Sequence, residues 1–289
     1  GEYSKALHYQ LEALDFDKKI ADSAALWRMT VNVGNTYSYM DKEKIALDYF
    51  MCAYPYFKDS RSRIAGNLFN SIARAYDGLA EDTGISVGTK SGYLAKEKFF
   101  LEQSLSIKKE LGDSIGVGNT LSNFGRLEKQ LGHFTEAEKY FVQSLDMAKL
   151  TGNPRLMRNN CKELGDLFTE REEYGKALPY LLLMNESGKN DGDRSSQSDA
   201  LSRLYRIYEK TGDYKNAYTY LEAYRNLKAD QSTAEYNRQI ADAEAKYKNK
   251  EQQRENEKLV LENKLKDTAN EKAEQEKKLI LIFSTAGLV

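Results

Sequence analysis

The stretch LGDLFTEREEYGKALPYLLLM, residues 164–184, decides the fold. A small residue, Gly165, stands three before Phe168 and twelve before Ala177, and Leu181 and Met184 follow. The pattern recurs along the chain. Gly34 leads to Tyr37, Ala46, Phe50 and Ala53, and Gly125 leads to Ala137, Phe141 and Ser144. Tyr205 leads to Tyr208, Ala217, Leu221 and Tyr224, and Ala73 with Tyr76 opens another copy. Gly34 to Ala73 is 39 residues, Ala73 to Gly125 is 52, and the next two steps are 40 each. The long step is one 40-residue period plus an insertion near residues 77–92, whose first part, Asp77 to Gly88, belongs in a turn between helices. Gly1 to Leu7 aligns with Gly212 to Tyr218, so the sequence opens inside a repeat whose first helix is missing.

The physics of such a pattern is a stack of helix pairs. A small residue lets two helix backbones cross closely, and apolar residues three and four apart form one stripe per helix. One pair alone cannot bury its apolar face, whereas stacked pairs can. Turns at Gly132 and Gly212 within pairs, and at Gly112, Gly152 and Gly192 between them, supply the left-handed residue that ends a helix. Asp113, Asn153 and Asp193 are suited to cap the helices that follow.

Composition narrows the function. The 289 residues carry a formal net charge of −1, so these residues lack the basic excess that a nucleic-acid surface needs. Aromatics at 11% exclude an acidic disordered chain, and 3 prolines leave most of the chain free to be helical. No apolar leader follows Gly1 to Lys5.

The repeats resemble the tetratricopeptide repeat, a helix–turn–helix unit. The residues that carry the likeness are Leu164-Gly165, Phe168, Tyr174, Ala177 and Leu181, with Gly212, Tyr214 and Ala217. It covers residues 1–227 and implies an all-α superhelix, an α-solenoid of period about 40 rather than the usual ~34. The third copy departs most, with Glu97 where Ala is expected, and the last anchor is Tyr205.

A long charged helix is expected over 228–278, which lacks Gly and Pro from Asp230 onward. Ile240, Tyr247 and Leu261 share one heptad register, as do Tyr236 and Ala243, but Lys250, Arg254, Glu257 and Lys264 occupy the same seam. Two readings stand: a solvated helix packed on the last repeat, or a homodimeric signalling stalk. Residues 279–289, almost all apolar, read as the start of a transmembrane helix. The order of parts, with Ala243-Glu244-Ala245-Lys246-Tyr247-Lys248-Asn249-Lys250-Glu251 between array and apolar run, is similar to bacterial membrane-bound tetratricopeptide sensor histidine kinases and their relatives with a LuxR-type DNA-binding domain. That resemblance implies a periplasmic array, a single-pass anchor and an output domain elsewhere. A cytoplasmic location, a scaffold or adaptor, and a cytoplasmic peptide-pheromone regulator are the alternatives.

No catalytic constellation is visible in the sequence. Gly88-Thr89-Lys90 lacks a phosphate-loop spacing, and Gly116-Val117-Gly118 lacks a dinucleotide fingerprint and reads as a loose helix start. His8 and His133 make no metal cluster, and no cofactor is expected. Cys52 and Cys161 fall on helices of repeats three apart and are expected as free, largely buried thiols. Tyr37, Tyr76, Tyr174, Tyr208 and Tyr214 fall on repeat packing positions.

In this family's superhelix the first helix of each pair lines the concave face. Residues six and three before the anchor and one after it lie 3, 4 and 7 apart and share one face. They form a candidate groove of Arg28, Asn67, Asn119 and Asn159, then Asn70, Ser122 and Lys162, then Arg74, Arg126 and Arg206. Asparagine amides hold an extended peptide backbone with donor and acceptor together, and arginine forks a carboxylate. The partner expected there is a peptide or protein. Side chains that simply face water are the other reading.

Overall fold

The computed structural model describes residues 2–20, 23–230, 233, 252–264, 266 and 267. All regular structure among them is helical. The chain divides into two units, Gly1–Tyr224 and Arg225–Val289.

The first unit runs α1 (Glu2–Ile20), α2 (Ser23–Ser38), α3 (Glu43–Phe57), α4 (Arg63–Ala80), α5 (Val87–Glu110), α6 (Ser114–Gln130), α7 (Phe134–Leu150), α8 (Pro154–Glu170), α9 (Tyr174–Asn190) and α10 (Arg194–Lys210), with residues 214–224 helical again. Each helix packs on its chain neighbours. In addition α2 touches α4, α4 touches α6, α6 touches α8 and α8 touches α10, whereas α3, α5, α7 and α9 do not touch one another. The first helices therefore sit closer together than the second ones. A stack with that asymmetry curves, and the first helices line its inner side.

Sequence explains the pairing. A Cβ on Gly34 would stand 2.5 Å from the Phe50 ring, one on Gly125 2.5 Å from Phe141, and one on Gly165 2.5 Å from Leu181. Phe50, Phe141 and Leu181 are wholly buried. Each lies sixteen residues after its glycine, so one crossing is built again and again. Beside it lies a ring stack that the sequence reading missed. Tyr37 stacks on Tyr49, Tyr76 on Phe100, Phe124 on Tyr140, Phe168 on Tyr180 and Tyr208 on Tyr220, with centroids 5.3–6.1 Å apart. Such a pair contributes about 0.5–1.5 kcal/mol beyond area burial.

The turns follow the expected chemistry. Asp113, Asn153 and Asp193 accept the backbone N–H three residues on, as do Ser62 and Ser86. Gly112, Gly132, Gly152, Gly192 and Gly212 have φ between 60° and 80°. Asp41 and Glu172 hold the same left-handed place in their turns, at φ 55° and 58°.

Several expectations need correction. The insertion does not simply lengthen a turn: only residues 81–86 are non-helical, and Ser86 caps an α5 of 24 residues where its counterparts have 15 to 17. Gly116 and Gly118 are not a loose start. A Cβ at 118 would meet Leu156 at 2.7 Å, and one at 116 would meet Asp113 and the Lys108 stem. Cys52 is exposed, because it lies off the packed stripe of α3, while Cys161 is buried; both are free. Tyr214 is 73% exposed at the start of the last helical segment.

In the second unit residues 225–230, 233, 252–264, 266 and 267 are helical, and those from 252 onward are exposed. Tyr236, Ile240, Ala243, Tyr247 and Lys250 of the expected seam lie outside the described residues, as does the apolar run 279–289. No helix among the described residues is long and apolar enough to cross a membrane.

The crossing makes a prediction. Alanine at Gly125 gains about 1 kcal/mol of helix propensity, but overpacking a closed site costs about 1–3 kcal/mol. Gly125→Ala should lower the thermal midpoint. Gly92→Ala, in α5 with nothing within 4 Å of the new Cβ, should raise it. Urea melts of the two variants should move in opposite directions.

Candidate functional site

The inner faces of α2, α4, α6 and α8 enclose a groove of about 750 Å³. Eight of the ten expected residues line it: Asn67, Asn70 and Arg74 from α4, Asn119, Ser122 and Arg126 from α6, and Asn159 and Lys162 from α8. Arg28 is exposed on α2 and does not line it. Arg206 lines a separate cavity of about 490 Å³, beside Arg203, which pairs with Asp166 at 2.7 Å and with Asp199.

Hydrogen bonds divide these residues into two kinds. Asn67, Asn119 and Asn159 are exposed and make no side-chain hydrogen bond among the described residues. Arg74 forms no ion pair among them. By contrast, Asn70 braces the wall: its Oδ1 accepts from Asn123 Nδ2 at 2.8 Å and from Thr120 Oγ1 at 3.3 Å. Arg126 donates to Asn123 Oδ1 at 2.7 Å and pairs with Asp77 at 3.3 Å. Lys162 has Asp199 at 3.9 Å. The free amides are thus the three at the first offset, one per repeat.

Other groups line the groove as well, and of these only Asn35, one after the Gly34 anchor, falls at an offset counted from the sequence. Asn35 and Ser71 join across α2 and α4, with Ser71 Oγ donating to Asn35 Oδ1 at 2.9 Å. Asn153 and Arg155 enter from the start of α8, and Lys108 enters from α5, a second helix. Lys108 stands where α3, α7 and α9 have Phe57, Ala148 and Gly188. A lysine at a place that those three helices fill with apolar or small residues was the available signal. Charged groups along the groove are five cationic, Arg74, Lys108, Arg126, Arg155 and Lys162, against Asp113 and Glu163. Burial raises the Glu163 carboxyl above its ordinary value, against the pull of Arg126, Lys129 and Lys162. A chain of net charge −1 therefore presents a basic inner groove.

Below the groove sits an unusual acid. Glu97, at the alanine position of its repeat, is 1% exposed, and its Oε2 has no partner among the described residues. Burial, with Asp77 nearby, pushes its carboxyl up to about 9. Asp77 is also raised, burial outweighing the attraction of Arg126 and Arg74. Gln130 Nε2 donates to Asp77 Oδ1 at 2.5 Å.

Other candidate chemistry is quiet. His133 precedes α7 but bonds Glu128 at 2.8 Å rather than capping the helix, and His8 faces Glu12 in solvent. Cys161 is pushed up to about 12 by burial, which makes it a poor nucleophile. No group of three or more metal-ligating side chains occurs among the described residues.

A tetratricopeptide-repeat family model matches residues 119–149, the α6–α7 pair. No curated protein sequence matches the chain. Among solved structures, BtubC (BKLC) from P. vanneervenii superposes with a TM-score of 0.64 at 16% identity, covering 80% of this chain and 93% of its own. A Rap protein complexed with competence and sporulation factor gives 0.58 at 13% identity, covering 80% and 72%. Aspartyl phosphate phosphatase F from Bacillus subtilis gives 0.54 at 18%, covering 76% and 55%. These matches identify the fold as a tetratricopeptide-type solenoid, a scaffold that generally binds rather than catalyses.

Glu97 sets a pH dependence. The folded protein holds its proton up to about pH 9, while an ordinary carboxyl releases it near 4.5. Its contribution to stability is full below pH 4.5 and falls as pH rises toward 9. Glu97→Gln should therefore gain on the parent by at least about 2 kcal/mol between acidic and mildly basic pH. Denaturant melts at pH 4.5 and pH 8 check this, and equal differences at both values would remove the buried acid as the cause.

Proposed function

We propose that the inner groove is the ligand site of a sensing module and holds an extended peptide, or an extended segment of a protein. We further propose that the array is the extracytoplasmic, periplasmic part of a single-pass membrane signalling protein. Its output, a histidine kinase or a LuxR-type DNA-binding domain, lies elsewhere in the protein, and the charged helix of 228–278 carries the signal as a dimeric stalk. These residues perform no catalysis.

One observation carries the binding half. Asn67, Asn119 and Asn159 repeat at one place on successive first helices, face the groove and make no side-chain hydrogen bond among the described residues. A peptide in extended form exposes both N–H and C=O along its length, and each asparagine amide meets both. A protein of like fold, the Rap protein, was solved complexed with competence and sporulation factor. The membrane half rests on the apolar run 279–289 and on the order of parts along the sequence.

The binding test uses an array of random hexapeptides, acetylated and amidated. Asn67→Ala with Asn119→Ala should weaken capture by about tenfold or more, since each lost amide removes about 1 kcal/mol of hydrogen bonding. The thermal midpoint should stay put, because neither side chain supports the fold. Arg126 is the wrong residue for this test, as its loss strands the buried Asp77. Unchanged capture by the double variant sinks the groove. For the membrane half, the native protein should fractionate with membranes, and protease outside the inner membrane should digest the array. Recovery from the soluble cytoplasmic fraction leaves the adaptor reading in its place.

A further inference from the structure

One side chain in the groove is out of place by every packing rule. Lys108 belongs to α5, a second helix, and such helices face away from the groove. Its counterparts on α7 and α9, Ala148 and Gly188, are small, the one on α3 is the buried apolar Phe57, and the last copy has an exposed lysine, Lys228. Lys108 is only 2% exposed, yet it reaches the groove floor. It does so because two glycines leave a passage. A Cβ on Gly66 of α4 would lie 3.5 Å from Lys108 Cγ, and one on Gly116 of α6 would lie 2.9 Å from Cδ. The stem runs between two first helices at the one level where both lack a side chain.

Its ammonium is poorly satisfied there. Nζ donates to Thr120 Oγ1 at 3.1 Å. Thr120 is itself wholly buried, and its hydroxyl lies 3.0 Å from the Gly116 carbonyl and 3.3 Å from Asn70 Oδ1. A lysine has three donors, so two are left without a protein acceptor among the described residues. No carboxylate forms an ion pair with it among those residues. Asp113 is the nearest acid by its electrostatic effect, but its Oδ1 accepts the Gly116 N–H at 2.9 Å as the cap of α6. Burial accordingly pulls the Lys108 ammonium down to about 8, a value that still leaves it charged at neutral pH. A buried cation with no carboxylate in ion-pair contact among the described residues is costly, and Phe57, Ala148 and Gly188 close the α3, α7 and α9 copies without that cost.

We infer that Lys108 is the anion seat of the groove, and that it takes a carboxylate of the bound peptide. This rests on the groove reading above and adds the chemistry of the ligand. Around the seat, Arg74 and Arg126 add positive charge and Asn67 and Asn119 offer amides for the flanking backbone. A carboxylate supplies the two acceptors that Nζ lacks and the ion-pair contact that no carboxylate among the described residues makes with it. Removing the ammonium takes one hydrogen bond, to Thr120, from the fold and relieves it of a buried charge; what is lost besides is the ligand's partner.

The carboxylate has two sources, an acidic side chain or a peptide C-terminus. Matched hexapeptides separate them: Glu against Gln at each position, and a free against an amidated C-terminus. Binding is read by fluorescence anisotropy on the parent protein and on Lys108→Met, which keeps the length of the stem. The parent should favour the acidic member of a pair by about tenfold or more. Lys108→Met should bind both members as weakly as the parent binds the neutral one, with a thermal midpoint no lower than the parent's. As a readout without substitution, the Lys108 13Cε resonance should move on adding the acidic peptide and stay still with its neutral twin. Preference for Glu assigns the side-chain source, and preference for the free terminus assigns the other. If the parent binds both members alike, the seat is wrong while the groove stands. If the preference survives Lys108→Met, it belongs to Arg74, Arg126 or Lys162, and the inference falls. If no hexapeptide binds at all, the groove reading falls and takes the seat with it.

Discussion

The rest of the structure depends on one close crossing, the small residue of a first helix set under the side chain sixteen places on. At Gly34, Gly125 and Gly165 the distance to Phe50, Phe141 and Leu181 leaves no room for a Cβ. That contact brings the two helices of a pair together near their middles. It also aligns the ring stacks, whose first ring lies three residues after the glycine and whose second lies one before its partner, such as Tyr37 on Tyr49 and Phe168 on Tyr180. Because the same crossing recurs, each pair meets the next in the same way. The first helices touch across pairs and the second helices do not. Curvature follows from that difference, and the groove follows from the curvature.

The array breaks its own pattern in one place. The pair α4–α5 carries the insertion, the buried acid Glu97 and the buried cation Lys108. Glu97 stands where the other copies have alanine, and Lys108 where α3, α7 and α9 have Phe57, Ala148 and Gly188. Glu97 and Lys108 lie eleven apart, three turns of α5, so they share a face. Both groups break a local rule in one repeat, and a packed core gains nothing from either. Glu97 stays neutral and sits below the wall formed by Asp77 and Arg126. Lys108 stays charged and ends in the groove. The α6 helix that faces both supplies Gly116, Asn119, Thr120 and Arg126, and it is also the first helix of the pair matched as a tetratricopeptide repeat.

Much of this was legible in the residues. Anchor spacing located the pairs, and the glycine turns and the Asp113, Asn153 and Asp193 caps came out as read. The inner face could be written down by counting from the anchor, and most of the counted residues do line one groove. The count failed at the two ends. Arg28 stays outside, and Arg206 lies beside another cavity, because a groove between curved first helices has a finite length. It was blind to role as well. Asn119 and Arg126 look alike as polar residues on one stripe, yet the first is free and the second is held by Asp77 and Asn123.

By itself the sequence determined what repeats: the period, the crossing residues, the turn glycines, the caps, and the polar character of the first-helix face. These are local facts, set by residues within one pair and by the steric needs of a helix end or a close crossing. Only the tertiary structure decided what meets between pairs. Lys108 reaches the groove because Gly66 and Gly116, fifty residues apart in sequence, fall at one level of two neighbouring helices. Glu97 becomes a neutral acid because α4 and α6 remove its water and place Asp77 beside it. Such neighbours are chosen by superhelical curvature, which sums over all the pairs and is written in none of them.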